Sequence, residues 1–88
     1  MQAPDDILSV LHDEELARHF REGRGELSEE LAVLGMVIRS ELAREGRVSN
    51  KSIILNLITA LESTSDDNVS DVLRRTLGIV VGYTPDDA

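Results

Sequence analysis

Residues 49–61 have the sequence SNKSIILNLITAL, and this stretch decides the fold. Its apolar residues recur at helical spacing and do not alternate with polar ones as in a half-buried strand. They spread over more than one face of a helix, so the helix needs cover on two sides. These residues are Ile53, Ile54, Leu55, Leu57, Ile58 and Leu61. Ser49 or Asn50 can cap this helix, because either side chain can accept a hydrogen bond from a free backbone N–H.

One predicted helix precedes this stretch and another follows it. The preceding helix is expected to begin with Ser28 as its N-cap and to run for about seventeen residues. Gly46 suits the left-handed residue that ends it. Its apolar positions are Leu31, Leu34, Ile38 and Leu42 on one face and Val33 and Val37 on a second. After a polar break at 63–68, helical spacing resumes at Val69 and continues until Gly82 and Pro85 end the helix.

A shorter helix is predicted over residues 13–21. Leu16, Ala17 and Phe20 share one face of it, and acidic residues lie at its start, where the helix dipole favours them. The stretch Gly23-Arg24-Gly25 ends it, because glycine suits a helix stop and a turn. We therefore expect an all-α fold, a small bundle of three main helices plus a short N-terminal helical segment.

The composition bounds the class of protein. The chain has 88 residues, of which 41% are hydrophobic, and this predicts one folded domain despite a net charge of −8. The predicted divisions are a partly frayed N-terminal segment at 1–12, a single helical domain at 13–84 and a C-terminal tail at 85–88. The lack of cysteine excludes disulfides and thiol chemistry. No apolar run approaches the ~18 residues of a membrane span, and the start does not resemble a signal peptide, so we expect a cytoplasmic protein with no membrane contact.

Charge is unevenly distributed along the chain. Residues 1–30 carry a net charge of −6 and residues 62–88 a net charge of −4, whereas residues 31–61 carry +2. The bases of the middle segment lie around the junction of the second and third helices and are candidate nucleic-acid contacts. They are Arg39, Arg44, Arg47 and Lys51. Glu41 and Glu45 interleave with them at ion-pairing spacing, and the overall charge opposes DNA, which is therefore disfavoured as a partner.

The apolar surface of the helices exceeds what three short helices normally bury. One explanation is homodimerisation, in which the second and third helices meet their symmetry mates. The predicted interface residues are Val33, Val37, Ile53 and Leu57. The alternative is that the N-terminal segment covers the surplus as a lid formed by Leu8, Leu11, Leu16 and Phe20.

The sequence gives little indication of catalytic or metal-binding chemistry. No HExxH motif or cysteine-histidine cluster is present, and His12 and His19 are two helical turns apart, too far for direct coordination of one ion. Most acids fall at helix starts or solvent-facing positions, and no nucleophile motif frames a serine. We therefore predict no catalytic residues, no metal and no cofactor. A pH-responsive role for the two histidines is a further hypothesis.

Several segments, in their order and spacing, resemble one protein family. They are AVLG at 32–35, NKSIILNLI at 50–58, LESTSD at 61–66, LRRTL at 73–77 and YTPDD at 83–87. With residues 13–21, they are similar to the AriR/YmgB family of small biofilm and acid-resistance regulators of enterobacteria. The resemblance implies an all-helical, non-enzymatic homodimer that acts as a connector on two-component signalling, in particular on the Rcs phosphorelay. It also implies a regulatory DNA contact, which the acidic balance of this chain disfavours.

Two functional hypotheses follow. In the first, the acidic N-terminal segment of a dimeric adaptor engages a basic or apolar surface of a response regulator. Charge complementarity speeds that encounter, and buried anchors at Leu16 and Phe20 hold the complex. In the second, the chain regulates genes by touching DNA through the junction of the second and third helices.

Overall fold

A computed structural model describes residues 7–11, 13–23 and 26–84 of the chain. A short 3-10 helix, Ile7–Val10, precedes four α-helices. These are α1 (Glu14–Glu22), α2 (Ser28–Glu45), α3 (Asn50–Ser63) and α4 (Asp67–Tyr83). Within the described ranges there is no strand. The predicted all-α fold of three long helices and a short N-terminal one is confirmed, whereas the predicted tail at 85–88 lies outside the described residues.

Local side-chain chemistry fixes the starts of α1 and α3. The Asp13 carboxylate accepts hydrogen bonds from the backbone N–H groups of Glu15 and Leu16, each at 3.1 Å. Ser49 caps α3, because its hydroxyl accepts from the N–H of Ser52 at 3.2 Å while the Ser52 hydroxyl accepts from the N–H of Ser49 at 3.0 Å. This reciprocal capping box resolves the predicted choice between Ser49 and Asn50.

The start of α2 differs from the prediction. Ser28 is the first helical residue and Leu27 occupies the N-cap position, with no side-chain hydrogen bond to a free N–H. The Leu27 N–H donates to the Gly23 carbonyl at 2.6 Å, and the Leu31 N–H donates to the Leu27 carbonyl at 2.7 Å. Backbone hydrogen bonds therefore stabilise this turn. A β-carbon at Gly23 would lie 2.8 Å from the end of the Leu27 side chain, so a larger residue there would require that side chain to shift.

The start of α4 lies earlier than predicted. Asp66 caps the helix by accepting from the N–H groups of Asn68 at 2.8 Å and Val69 at 3.2 Å. The helix therefore begins at Asp67, inside the polar break predicted for 63–68. The spacing of apolar residues cannot reveal a first helical turn that is made of polar residues. The aspartate at position 66 does mark it, because aspartate is a favoured N-cap residue.

The core lies between α2, α3 and α4, and α1 packs mainly against α4. Its fully buried side chains include Ile38, Ile53, Leu57 and Val80. The side chains predicted to form an N-terminal lid are also buried, which confirms that the chain covers part of its own apolar surplus. They are Leu8, Leu11, Leu16 and Phe20. Among the described helices, none is both long enough and apolar enough to cross a bilayer.

Substitutions at two glycines are expected to change the free energy of unfolding in opposite directions. Gly46 has φ of 77°, and replacing it with alanine is expected to cost about 1 kcal/mol because a β-carbon strains the left-handed conformation. A β-carbon at Gly78 in α4 would meet no atom within 4 Å, so Gly78→Ala is expected to gain about 0.5–1 kcal/mol of helix propensity. Urea unfolding followed by circular dichroism measures both free energies. Changes of the same sign would contradict this account.

Candidate interaction surface

An open groove of about 810 Å³ lies where the end of α2 meets the start of α3. It is lined by Ser40, Glu41, Arg44, Glu45, Arg47, Val48, Ser49, Ser52, Leu55, Asn56 and Thr59. Two arginines and two glutamates balance in charge, and hydroxyl groups supply most of the remaining polar lining. The groove is therefore a nearly neutral surface on a strongly acidic protein.

Glu41 is the buried charge of this groove, with 2% of its surface exposed. The Asn56 side chain donates to its carboxylate at 2.8 Å, and the Arg44 guanidinium donates to the same oxygen at 3.4 Å. A buried carboxylate is costly unless it is paired. Because Glu41 is on α2 and Asn56 on α3, this contact also fixes how the two helices lie against each other.

The four bases predicted as nucleic-acid contacts do not all line the groove. All are exposed, but only Arg44 and Arg47 line the groove. Arg44 forms an ion pair with Glu41. The Arg39 guanidinium lies beside Gly35, next to the 3-10 helix. Lys51 lies on the first turn of α3, outside the groove lining.

Three of the four predicted dimer-interface residues require a correction. Val37 is 6% exposed, and Ile53 and Leu57 are fully buried by their own chain. All three belong to the hydrophobic core, so they are not available to a second copy. Val33 is half-buried and packs against the core. Dimerisation itself stays a prediction.

The predicted partner anchors need the same correction. Leu16 and Phe20 have no exposed surface, because α1 turns both side chains into the core. Removing either would open the core and would not report on a partner. Among the described residues of α1, its outward face instead carries Glu14, Glu15, Arg18, Arg21 and Glu22.

The large apolar side chains that the chain leaves exposed are different ones. They are Met36 on α2, Leu55 and Ile58 on α3, and Val69 and Val81 on α4. Their exposed fractions run from 39% to 68%. The excess of apolar residues on α3 indicated that such side chains would exist. Spacing alone could not identify them, because the pair Ile53 and Leu57 and the pair Leu55 and Ile58 are both stripes at helical spacing.

Two polar contacts position α1. The Asn50 side-chain amide donates to Asp13 at 3.3 Å and to the Thr84 hydroxyl at 3.1 Å, and so joins the start of α1, the start of α3 and the end of α4. His19 forms a hydrogen bond with the Tyr83 hydroxyl at 3.2 Å. His12, the other half of the predicted pH-responsive pair, lies outside the described residues, so that hypothesis stays a prediction.

A second buried carboxylate joins α2 to α4. The Arg75 guanidinium donates to Glu30 at 2.7 Å and lies 3.5 Å from Glu29. The Glu30 side chain is 7% exposed, whereas that of Glu29 is 72% exposed. The hydrogen bond from Arg75 outweighs burial and holds the pKa of Glu30 below its usual value. The same bond raises the pKa of Arg75.

The described part of the chain contains no group of side chains suited to bind a metal ion. Within residues 7–11, 13–23 and 26–84, no three histidine or acidic side chains converge in a way that could hold an ion. Most polar side-chain contacts there serve helix caps, helix–helix joints or surface ion pairs. These features define a small all-α protein with several exposed apolar side chains.

Comparison with known proteins identifies the family. Residues 26–83 match the family described as "Biofilm development protein YmgB/AriR". The chain is 46% identical over 81 residues to the "Regulatory protein AriR" of Escherichia coli O139:H28 (strain E24377A / ETEC), a match that covers 92% of each chain. It is 44% and 43% identical, over the same shares, to proteins of that name from Escherichia coli O1:K1 / APEC and strain SMS-3-5 / SECEC. No solved structure matches. The chain belongs to the YmgB/AriR family of biofilm regulatory proteins, as its segments predicted.

The Glu30–Arg75 pair predicts an acid-dependent loss of stability. Because the pKa of Glu30 is lowered on folding, the pair stabilises the fold above the ordinary glutamate pKa of about 4.3. That contribution is lost as the pH falls through the lowered pKa of the folded state. Glu30→Gln is expected to reduce stability at neutral pH and to flatten its decline in acid.

Glu29→Gln is the matched control, since its carboxylate is exposed and farther from Arg75. The measurement is urea unfolding at several values between about pH 7 and about pH 3, which bracket the glutamate pKa. Equal effects of the two substitutions would contradict the assignment of the acid response to Glu30.

Proposed function

We propose that this chain is a non-enzymatic cytoplasmic regulator of biofilm formation and acid resistance. It acts as a homodimeric connector on a two-component phosphorelay of the Rcs type, through protein–protein contacts. The regulatory names of its relatives support the general role. The observation that carries the mode of action is the pair of large apolar side chains Leu55 and Ile58, which lie exposed on one face of α3, because apolar surface grouped in one place on a small protein marks a protein–protein interaction site.

The proposed partner is a response regulator that presents a basic or apolar surface. The exposed acids of α1 supply the complementary charge, which speeds encounter and sets specificity. Since Leu16 and Phe20 are core residues, the apolar anchors of the complex come from exposed side chains on other helices.

Neutralising two acids on α1 tests this partner. Glu15→Gln with Glu22→Gln is expected to lower recovery of a crosslinked response regulator several-fold, because complementary charges promote encounter. The measurement is crosslinking in native cells followed by mass spectrometry. The control, Asp67→Asn with Asp71→Asn, removes two charges from exposed positions on α4. Equal recovery from both double variants would count against α1 as the contact.

DNA contact is the second candidate function, favoured by one observation. Arg39, Arg47 and Lys51 are exposed, and none forms an ion pair with another described residue. The net charge of −8 opposes this function, and so does the separation of Arg39 from the groove.

A gel-shift titration decides between the two functions. We expect no retardation of duplex DNA even at low salt, because the long-range field of the protein repels phosphate. A shift that weakens steeply as salt is added, and that Arg47→Gln with Lys51→Gln abolishes, would instead establish the DNA function.

A further inference from the structure

Four exposed residues form one stripe along α3: Lys51, Leu55, Ile58 and Glu62. Their spacings of four, three and four residues place them within about 60° of one another on a helix. Leu55 is 55% exposed and Ile58 is 39% exposed. The stripe therefore has an apolar centre, a cation at the start of the helix and an anion at its end, about 16 Å away along the helix axis.

The order of this stripe is complementary to itself. When two identical helices pack antiparallel about a two-fold axis, residues face each other if their numbers add up to one fixed total. The pair 51 and 62 has the same total as the pair 55 and 58. A single alignment therefore brings Lys51 opposite the partner's Glu62 and Leu55 opposite the partner's Ile58, and the two-fold repeats both contacts.

The charges of the stripe are unfavourable within their own helix. A cation near a helix start and an anion near a helix end both oppose the helix dipole. The other three α-helices carry acids in their first turn, whereas α3 has none there and no base in its last turn. In the antiparallel pair, Lys51 lies at the end of the partner's helix and Glu62 at its start. Both charges then complement the dipole of the neighbouring helix.

The charge of the whole molecule also favours this face for a second copy. Two chains of net charge −8 repel each other, and residues 46–61 contain no acidic residue at all. Neither Lys51 nor Glu62 forms an ion pair with another described residue, so both are available across an interface. The nearly neutral groove shares Leu55 with the stripe and extends the contact area on one side.

We infer that the stripe of Lys51, Leu55, Ile58 and Glu62 is the surface on which a second copy of this chain docks, α3 against α3 and antiparallel. The inference rests on the proposed homodimer and specifies its interface. It replaces the buried residues Ile53 and Leu57 by the exposed residues on the opposite side of the same helix.

The first test disrupts the apolar centre of the stripe. Sedimentation at micromolar concentration is expected to give a dimer for the natural chain. Leu55→Asp is expected to weaken it by more than about tenfold, since it places charge at the centre of the interface. Val81→Asp is the matched control, because Val81 is 50% exposed on α4 and lies outside the stripe. Circular dichroism checks that both variants remain helical.

Charge reversal is the second test, and it probes the alignment itself. Lys51→Glu alone and Glu62→Lys alone each set like charges opposite each other and are expected to weaken the dimer by about tenfold at low salt. The two changes together exchange the signs on both sides and are expected to restore it. Mixing the two single variants is expected to give a heterodimer, because each supplies the charge that the other lacks.

The outcomes separate this inference from the proposed function. A natural chain that sediments only as a monomer would overturn the homodimer. A natural dimer that Leu55→Asp and Val81→Asp affect equally would leave the homodimer standing and overturn this interface. A double reversal that fails to restore the dimer would overturn the antiparallel alignment.

Discussion

The fold depends on the burial of one side of α3. Ile53 and Leu57 are fully covered by the chain itself. α2 and α4 pack directly against α3, whereas α1 closes the core from the α4 side with Leu16 and Phe20. The other helices of so small a protein supply this cover on one side of α3 only. The opposite side of α3 therefore stays in solvent, and its exposure is a direct consequence of the size of the protein.

Buried charge gives the bundle its alignment. Hydrophobic burial is not directional and would tolerate several rotations of one helix against another. Glu41 with Asn56 sets α2 against α3, and Glu30 with Arg75 sets α2 against α4. Each carboxylate would be costly if its helix turned away from its partner. α2 is therefore the reference against which both neighbours are oriented.

The sequence predicted the helices well because their limits are set by nearby residues. Ser49 and Gly46 cap helices that begin or end at the neighbouring residue. Asp66 does the same at the start of α4, and it lies in the polar break that the sequence predicted. The face that each helix turns inward could not be predicted in the same way. Leu55 and Leu57 are chemically identical, and only the position of α2 and α4 makes one exposed and the other buried. Ser28 is not the cap because the backbone turn that begins at Gly23 places Leu27 at the N-cap position and Ser28 inside the helix.

The amide of Asn50 brings the start of α1 and the end of α4 together, since it contacts both Asp13 and Thr84. Topologically the domain is thus almost a closed ring. A short peptide could join the start of α1 to the end of α4 and new ends could be opened in an exposed loop, giving a circularly permuted protein that keeps the core between α2, α3 and α4. Fluorophores attached at the two ends would report by energy transfer on any event that separates them.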